Sequence, residues 1–222
     1  MYAMQTALRN LRQGGAFFAV ALCFASALPA DAVAQGITLP IDGDDYSRLV
    51  ARADAGDQAV DFRALRLAWL DSAARKRSAA ANTRQLRGDL FAAVPTNDAE
   101  KIAAAARQVL SAIYIDMDAQ KLLRQACTVL KDQACADRHH FVEFGLLKSI
   151  MMSGDGKSCE TGWQAVSIDE EYFVLRIEDL KRDRQALITG PHTCDRLDAT
   201  DAKGNTHALF FNIDAFIRRE LD

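Results

Sequence analysis

The chain has no surplus of positive charge: 27 Lys and Arg stand against 30 Asp and Glu, with 4 His, for a formal charge of −3. Nucleic acid is therefore a poor partner, because phosphate contacts need cations, and the only cationic run, Arg75-Lys76-Arg77, is short and reads as a solvated helix end. The cysteines contain no C-x-x-C pair, which argues against a zinc site. G-x-S-x-G and H-E-x-x-H are also missing, and with them the nucleophile elbow and the helical zinc pair. The apolar stretch from Ala16 to Ala27 is well short of the roughly 20 residues needed to cross a bilayer.

That stretch has another reading. Arg9 and Arg12 precede it, Pro29 breaks it, and Ala32-Val33-Ala34 is a small-x-small cleavage site, so Met1 to Ala34 reads as a secretory signal peptide. The expectation is export to the periplasm or the medium, a mature chain starting near Gln35, and no transmembrane segment after cleavage. A lipoprotein cut before Cys23 is the less favoured alternative, because Leu22 is bulky where such sites carry a small residue. Cleavage leaves 188 residues with 25 basic and 29 acidic side chains, enough for one substantial core. Residues 35–43 then form a linker and 44–222 a single domain.

Four cysteines remain, Cys127, Cys135, Cys159 and Cys194, and an even count in an oxidising compartment predicts two disulfides with three possible connectivities. Context favours Cys127 with Cys135, one late in a helical pattern and the other early in the next. Cys159 with Cys194 follows by elimination.

A short helix is expected from Asp44 to Ala55, ended by Gly56-Asp57; hydrophobic periodicity predicts an amphipathic helix from Asp61 to Ser72, and a polar, Ala-rich stretch from Ser78 to Ala93 continues as helix with an interruption near Gly88. Pro95 marks a break, and Asn97 with Glu100 reads as a capping box. Asp116 starts a helix striped by Leu122, Leu123 and Ala126. The last long helix runs from about Ala134 to Met152, with Phe141, Phe144, Leu147 and Met151 expected on its buried side. Helices joined by short turns suggest hairpin repeats of the tetratricopeptide type, without the full repeat signature. After Met152 the pattern becomes strand-like: Trp163 to Ile168, Gln185 to Thr189, Cys194 to Thr200, and His207 to Ile213, with a helix inserted at Asp169 to Leu180 and a short one closing the chain. Ala208 to Phe211 reads as a strand covered on both faces. The fold class is α+β: a helical part, 44–152, then a β-rich part, 153–222, with a small antiparallel sheet.

Candidate chemistry is sparse. Gly156-Lys157-Ser158 copies the end of a P-loop, but Met151 stands where the first glycine is needed, and a helix enters where a strand should, so no nucleotide is expected. His139 and Glu143, at i and i+4, and His140 could share a helix face. A metal would still need a third ligand such as His192, His207 or Asp155, so no metal and no cofactor is expected. Asp169-Glu170-Glu171 reads as carboxylates loading a helix N-terminus. Trp163, Tyr172 and Phe173 read as core or as the wall of a small-ligand cleft.

Four stretches carry a family likeness: Val60-Asp61-Phe62-Arg63-Ala64-Leu65-Arg66, Gly145-Leu146-Leu147-Lys148-Ser149-Ile150, Ser153-Gly154-Asp155-Gly156-Lys157-Ser158 and Ile168-Asp169-Glu170-Glu171-Tyr172. In that order, and with Phe211 to Asp214, the chain from about Tyr46 onward resembles the bacterial secreted family called domain of unknown function 4919. The resemblance implies a helical first half, a small sheet and export, and it brings no assigned activity. It also implies a histidine at His139 and makes the four cysteines local additions.

The functional expectation is a non-enzymatic interaction module with an envelope protein partner, using a patch of His139, the loop residues Gly154, Asp155, Gly156, Lys157 and Ser158, and Glu170. The alternatives are a hydrolase built from His139 with Asp155 or Lys157, and a small-ligand binder using Trp163 and Tyr172 beside that loop.

Overall fold

Aspartate punctuates the helical half. The computed structural model describes residues 36–80 and 82–220, and Ile37–Asp222 forms one compact unit. The expected signal peptide, 1–34, and Cys23 lie outside the described residues. Seven α-helices come first: α1 (Asp45–Asp54), α2 (Phe62–Trp69), α3 (Ala73–Ala80), α4 (Thr83–Ala93), α5 (Ala99–Ala112), α6 (Met117–Val129) and α7 (Gln133–Met151), with a 3-10 turn at Val94–Thr96. Asp44, Asp61, Asp98, Asp116 and Asp132 cap five of them, each carboxylate accepting from a backbone N–H three residues on. Such caps are each worth about 1 kcal/mol.

Strand β1 (Trp163–Gln164) follows, then α8 (Ile168–Ile177), β2 (Lys181–Ile188), β3 (Cys194–Thr200), β4 (Thr206–Asn212) and α9 (Asp214–Glu220). The sheet order is β1-β4-β3-β2. β2, β3 and β4 pair antiparallel, but Trp163 and Gln164 run parallel to Phe211 and Asn212, so the sheet is mixed. The parallel strand arises because the chain leaves α7 and enters the sheet edge beside β4, from which α8 must carry it across to β2.

Two apolar clusters form the interior, and α7 belongs to both. Its N-terminal part packs Ala136 with Leu90 of α4, Val109 and Leu110 of α5 and Leu123 of α6. Its C-terminal part packs Val142, Leu146 and Ile150 with Val50 of α1, Leu65 of α2, Phe173 of α8 and Leu197 and Phe211 of the sheet. The disulfides join Cys127 to Cys135 and Cys159 to Cys194, with Cα separations of 5.8 and 5.7 Å. The first closes the turn between α6 and α7; the second ties the loop after α7 to the start of β3.

Several boundaries move from their expected places. The chain breaks after Trp69 and again before Asn82, which caps α4, while Gly88 continues the helix. Asn97 adopts positive φ, and Asp98 is the cap of α5. Ser167 caps α8 in place of Asp169. In β4, Leu209 and Phe211 are buried while Ala208 is exposed, so one face of this strand is covered rather than both. On α7 the buried stripe is Ala136, His139, Val142, Leu146 and Ile150, and Phe144 is 57% exposed. No described helix is long and apolar enough to cross a membrane.

Candidate functional site

Arg66 is a cation on the apolar face of α2, only 1% exposed. Its Nε donates to Glu170 Oε1 at 2.8 Å and its Nη2 to Glu170 Oε2 at 2.6 Å, a bidentate pair between α2 and α8. Nη2 also reaches the Gln164 carbonyl of β1 at 2.5 Å, and Nη1 the Ser149 hydroxyl of α7 at 3.2 Å. Glu170 Oε2 takes one more bond, from Val166 N–H at 2.9 Å. One guanidinium thus holds four elements together, and a charge buried to this degree needs all of these partners.

The acidic neighbours of Glu170 diverge. Asp169 pairs at 3.1 Å with Arg87 of α4, which also engages Asp116 and, at 3.2 Å, Asp118 of α6. Burial pushes the Asp116 carboxyl up to about 6 against the opposing pull of Arg87. Glu171 is fully buried, and its carboxyl shares a side-chain hydrogen bond with that of Asp195. Burial first, and the nearby Asp195 second, push it up to about 9, so it is protonated at neutral pH. Tyr172 donates to Gln185 Oε1 at 2.9 Å on β2. The three carboxylates expected to load a helix terminus therefore each face a different part of the fold.

The glycine loop is held by its own atoms. Asp155 Oδ1 accepts from Lys157 N–H at 3.0 Å and from the Thr161 hydroxyl at 2.5 Å, and these bonds hold the carboxyl below its ordinary range. A Cβ on Gly154 would stand 2.3 Å from the Thr161 carbonyl oxygen. Gly156 has φ +67°, and a Cβ there would meet the Trp163 ring at 2.7 Å; its carbonyl accepts from Phe210 N–H at 3.0 Å. Ser158 meets Thr161 at 3.1 Å. Lys157 and Asp155 are exposed, while Gly156 is buried.

His139 is elsewhere. Its side chain is 4% exposed and its Nδ1 lies 2.6 Å from Gln120 Oε1 on α6, whose amide donates to the Tyr114 carbonyl at 2.7 Å. Burial and the nearby Arg138 and Arg107 lower it to about 4, so it is a neutral core histidine. From His139 to Met151, α7 rises about 18 Å, and His139 shares no hydrogen-bond partner with Asp155 or Lys157. His139 and Glu170 are thus not part of an exposed patch with the loop. Glu143 pairs with Arg124 at 2.6 Å, His192 with Asp214 at 2.8 Å, and His207 with Asp201 at 3.4 Å. Among the described residues no group of three or more His, Cys, Asp or Glu could hold a metal ion. Trp163 packs on Phe211 at 5.6 Å, and Tyr172 lies under Arg182 at 4.8 Å.

An open groove of about 810 Å³ runs beside the Arg66 junction. One wall is 58–63; the other is the outer face of α7 with His140, Phe144, Lys148 and Met152, ending at Ser153. Phe62 meets Phe141 edge-on at 5.3 Å and covers Gly145, where a Cβ would stand 2.2 Å from its ring. Gly145 is therefore what lets α2 start against α7. Phe144 and Met152 are 57% and 75% exposed at the mouth.

The family model for a domain of unknown function, DUF4919, matches residues 46–221. The chain belongs to the DUF4919 family. No curated protein and no solved structure matches it. Segments distant in sequence meet here: Phe62 on Gly145, Arg66 on Ser149 and Glu170, and Ser153 Oγ accepting from Gln164 N–H at 2.7 Å. Sequence reasoning passed over Arg66. Its signal was position: four residues after Phe62 and three before Trp69, it falls on the buried face of an amphipathic helix.

Proposed function

We propose that this DUF4919 protein is an exported, non-enzymatic interaction module, and that a partner polypeptide docks in the groove between 58–63 and α7. The observation that carries the reading is the groove itself: about 810 Å³, floored by Phe62 and Phe141, with Phe144 and Met152 exposed at its mouth. Large apolar side chains clustered at the surface mark binding sites more often than isolated ones do. The Arg66–Glu170 pair, Gly145 and the locked loop hold the two walls in place, which limits the ordering cost of binding. Successive packed helices from α4 to α7 suit a tetratricopeptide-like scaffold. Two disulfides and the signal-like N-terminus favour an oxidising compartment.

The test is mild crosslinking of the tagged protein in its own cell envelope, followed by capture. The Phe144→Ser, Met152→Ser pair loses the partner, while the Asp155→Ala, Lys157→Ala pair keeps it. Loss only with the second pair moves the contact to the loop; no partner in any sample contradicts the reading. A small apolar ligand in the same groove is the second reading, because the volume falls within the range of about 300–1,000 Å³ that ligand pockets occupy. Thermal stabilisation across a ligand panel tests it.

A further inference from the structure

The groove carries a charge pattern that narrows its occupant. His140, Phe144, Lys148 and Met152 recur every four residues, so they follow one another along one face of α7 with about 6 Å of rise between neighbours. Lys148 is exposed between the two apolar side chains, and no ion pair among the described residues engages it. On the facing wall, Arg63 donates to the neutral amide oxygen of Gln164 at 3.1 Å and keeps its charge uncompensated. Among the described residues the one acid lining the groove is Asp61, which accepts from Ala64 N–H at 2.9 Å, so the N-terminus of α2 answers its charge.

Resting on the docking reading above, we infer that the occupant is an extended segment of a partner protein that carries a carboxylate between two apolar side chains. The carboxylate meets Lys148 and Arg63, and the apolar side chains rest on Phe144 and Met152. Alternate residues of an extended chain lie about 6.6 Å apart on one side, which matches the rise between Phe144, Lys148 and Met152. The pattern is therefore apolar-x-acid-x-apolar. From His140 to Met152 the groove's α7 wall rises about 18 Å. An extended chain covers it with five or six residues.

The test uses three fluorescent peptides, acetylated and amidated to remove terminal charge, containing Leu-Thr-Glu-Thr-Leu, Leu-Thr-Gln-Thr-Leu or Leu-Thr-Lys-Thr-Leu between Gly-Ser flanks. Anisotropy with the full chain at low salt is expected to rank Glu first, by about fivefold over Gln, as suits a partly exposed ion pair. The preference fades as salt rises. Lys148→Glu, checked for native circular dichroism, reverses the order to favour the Lys peptide. Equal binding of all three overturns the acidic assignment and leaves the docking reading standing. Binding of none of them overturns both, as does capture of phosphatidylglycerol vesicles in place of the peptides.

Discussion

Arg66 and Glu170, 104 residues apart in the chain, form a bidentate ion pair with side chains 1% and 5% exposed. The pair is the point where α2, α7, β1 and α8 meet, and one side of that junction is the wall of the groove. Burying two charges costs several kcal/mol each, and the cost is offset only because Gln164, Ser149 and Val166 supply the remaining hydrogen bonds.

Removing one partner strands the other. Arg66→Met or Glu170→Met is expected to lower stability by about 3–5 kcal/mol, read from urea denaturation, and the Arg66→Met, Glu170→Met double variant is expected to lose less than the sum. Additive losses, or single losses below about 1 kcal/mol, would remove the pair from its central place.

Glu171 gives the alkaline limb of stability. Its folded value of about 9 lies above the ordinary 4.5, so the folded state holds the extra proton and stability falls as pH rises between those values. The slope is at most about 1.4 kcal/mol per pH unit. Glu171→Gln flattens it and raises stability at pH 8 relative to pH 5; an unchanged pH profile would refute the protonated assignment.

His139 acts on the acid side. Lowered to about 4 from 6.5, it takes up a proton more readily in the unfolded chain, so its contribution is present above pH 6.5 and is lost as pH falls towards 4. In thermal melts, His139→Phe is expected to lessen the loss between pH 6.5 and 4 while lowering stability at pH 7, because Gln120 Oε1 loses its buried donor. A variant that melts with the wild-type pH dependence would contradict this.

The loop separates structural from surface positions. Gly154→Ala, which would drive a Cβ into the Thr161 carbonyl, is expected to cost about 1–3 kcal/mol. Lys157→Ala, exposed, is expected to stay within about 0.5 kcal/mol of the parent. Chemical denaturation of the two checks the contrast.

Local signals read well from the sequence. Asp61, Asp116 and Gly56 mark helix ends by their own chemistry, the Cys127–Cys135 bridge follows from the turn between two helices, and the helix-then-sheet order follows from the change of period after Met152. The readings that failed were ones set by distant residues. Periodicity places Phe144 rather than Val142 on the buried stripe of α7, because both faces of that helix are rich in apolar residues and only the packing of α1, α6 and the sheet chooses between them. The parallel pairing of β1 has no local cue in a two-residue strand. Glu170 looked like a surface carboxylate because its partner, Arg66, stands a hundred residues earlier, and the groove was invisible for the same reason.

The most direct measurement of the docking account is site-specific photocrosslinking in the native envelope. A photoreactive side chain replaces Phe144, Met152 or Leu187; the last is equally apolar and 56% exposed, but lies on β2, far along the sheet from the β1 edge beside the groove. The account predicts one discrete adduct from positions 144 and 152 and none from 187. Equal labelling at all three, or labelling at 187 alone, would contradict it.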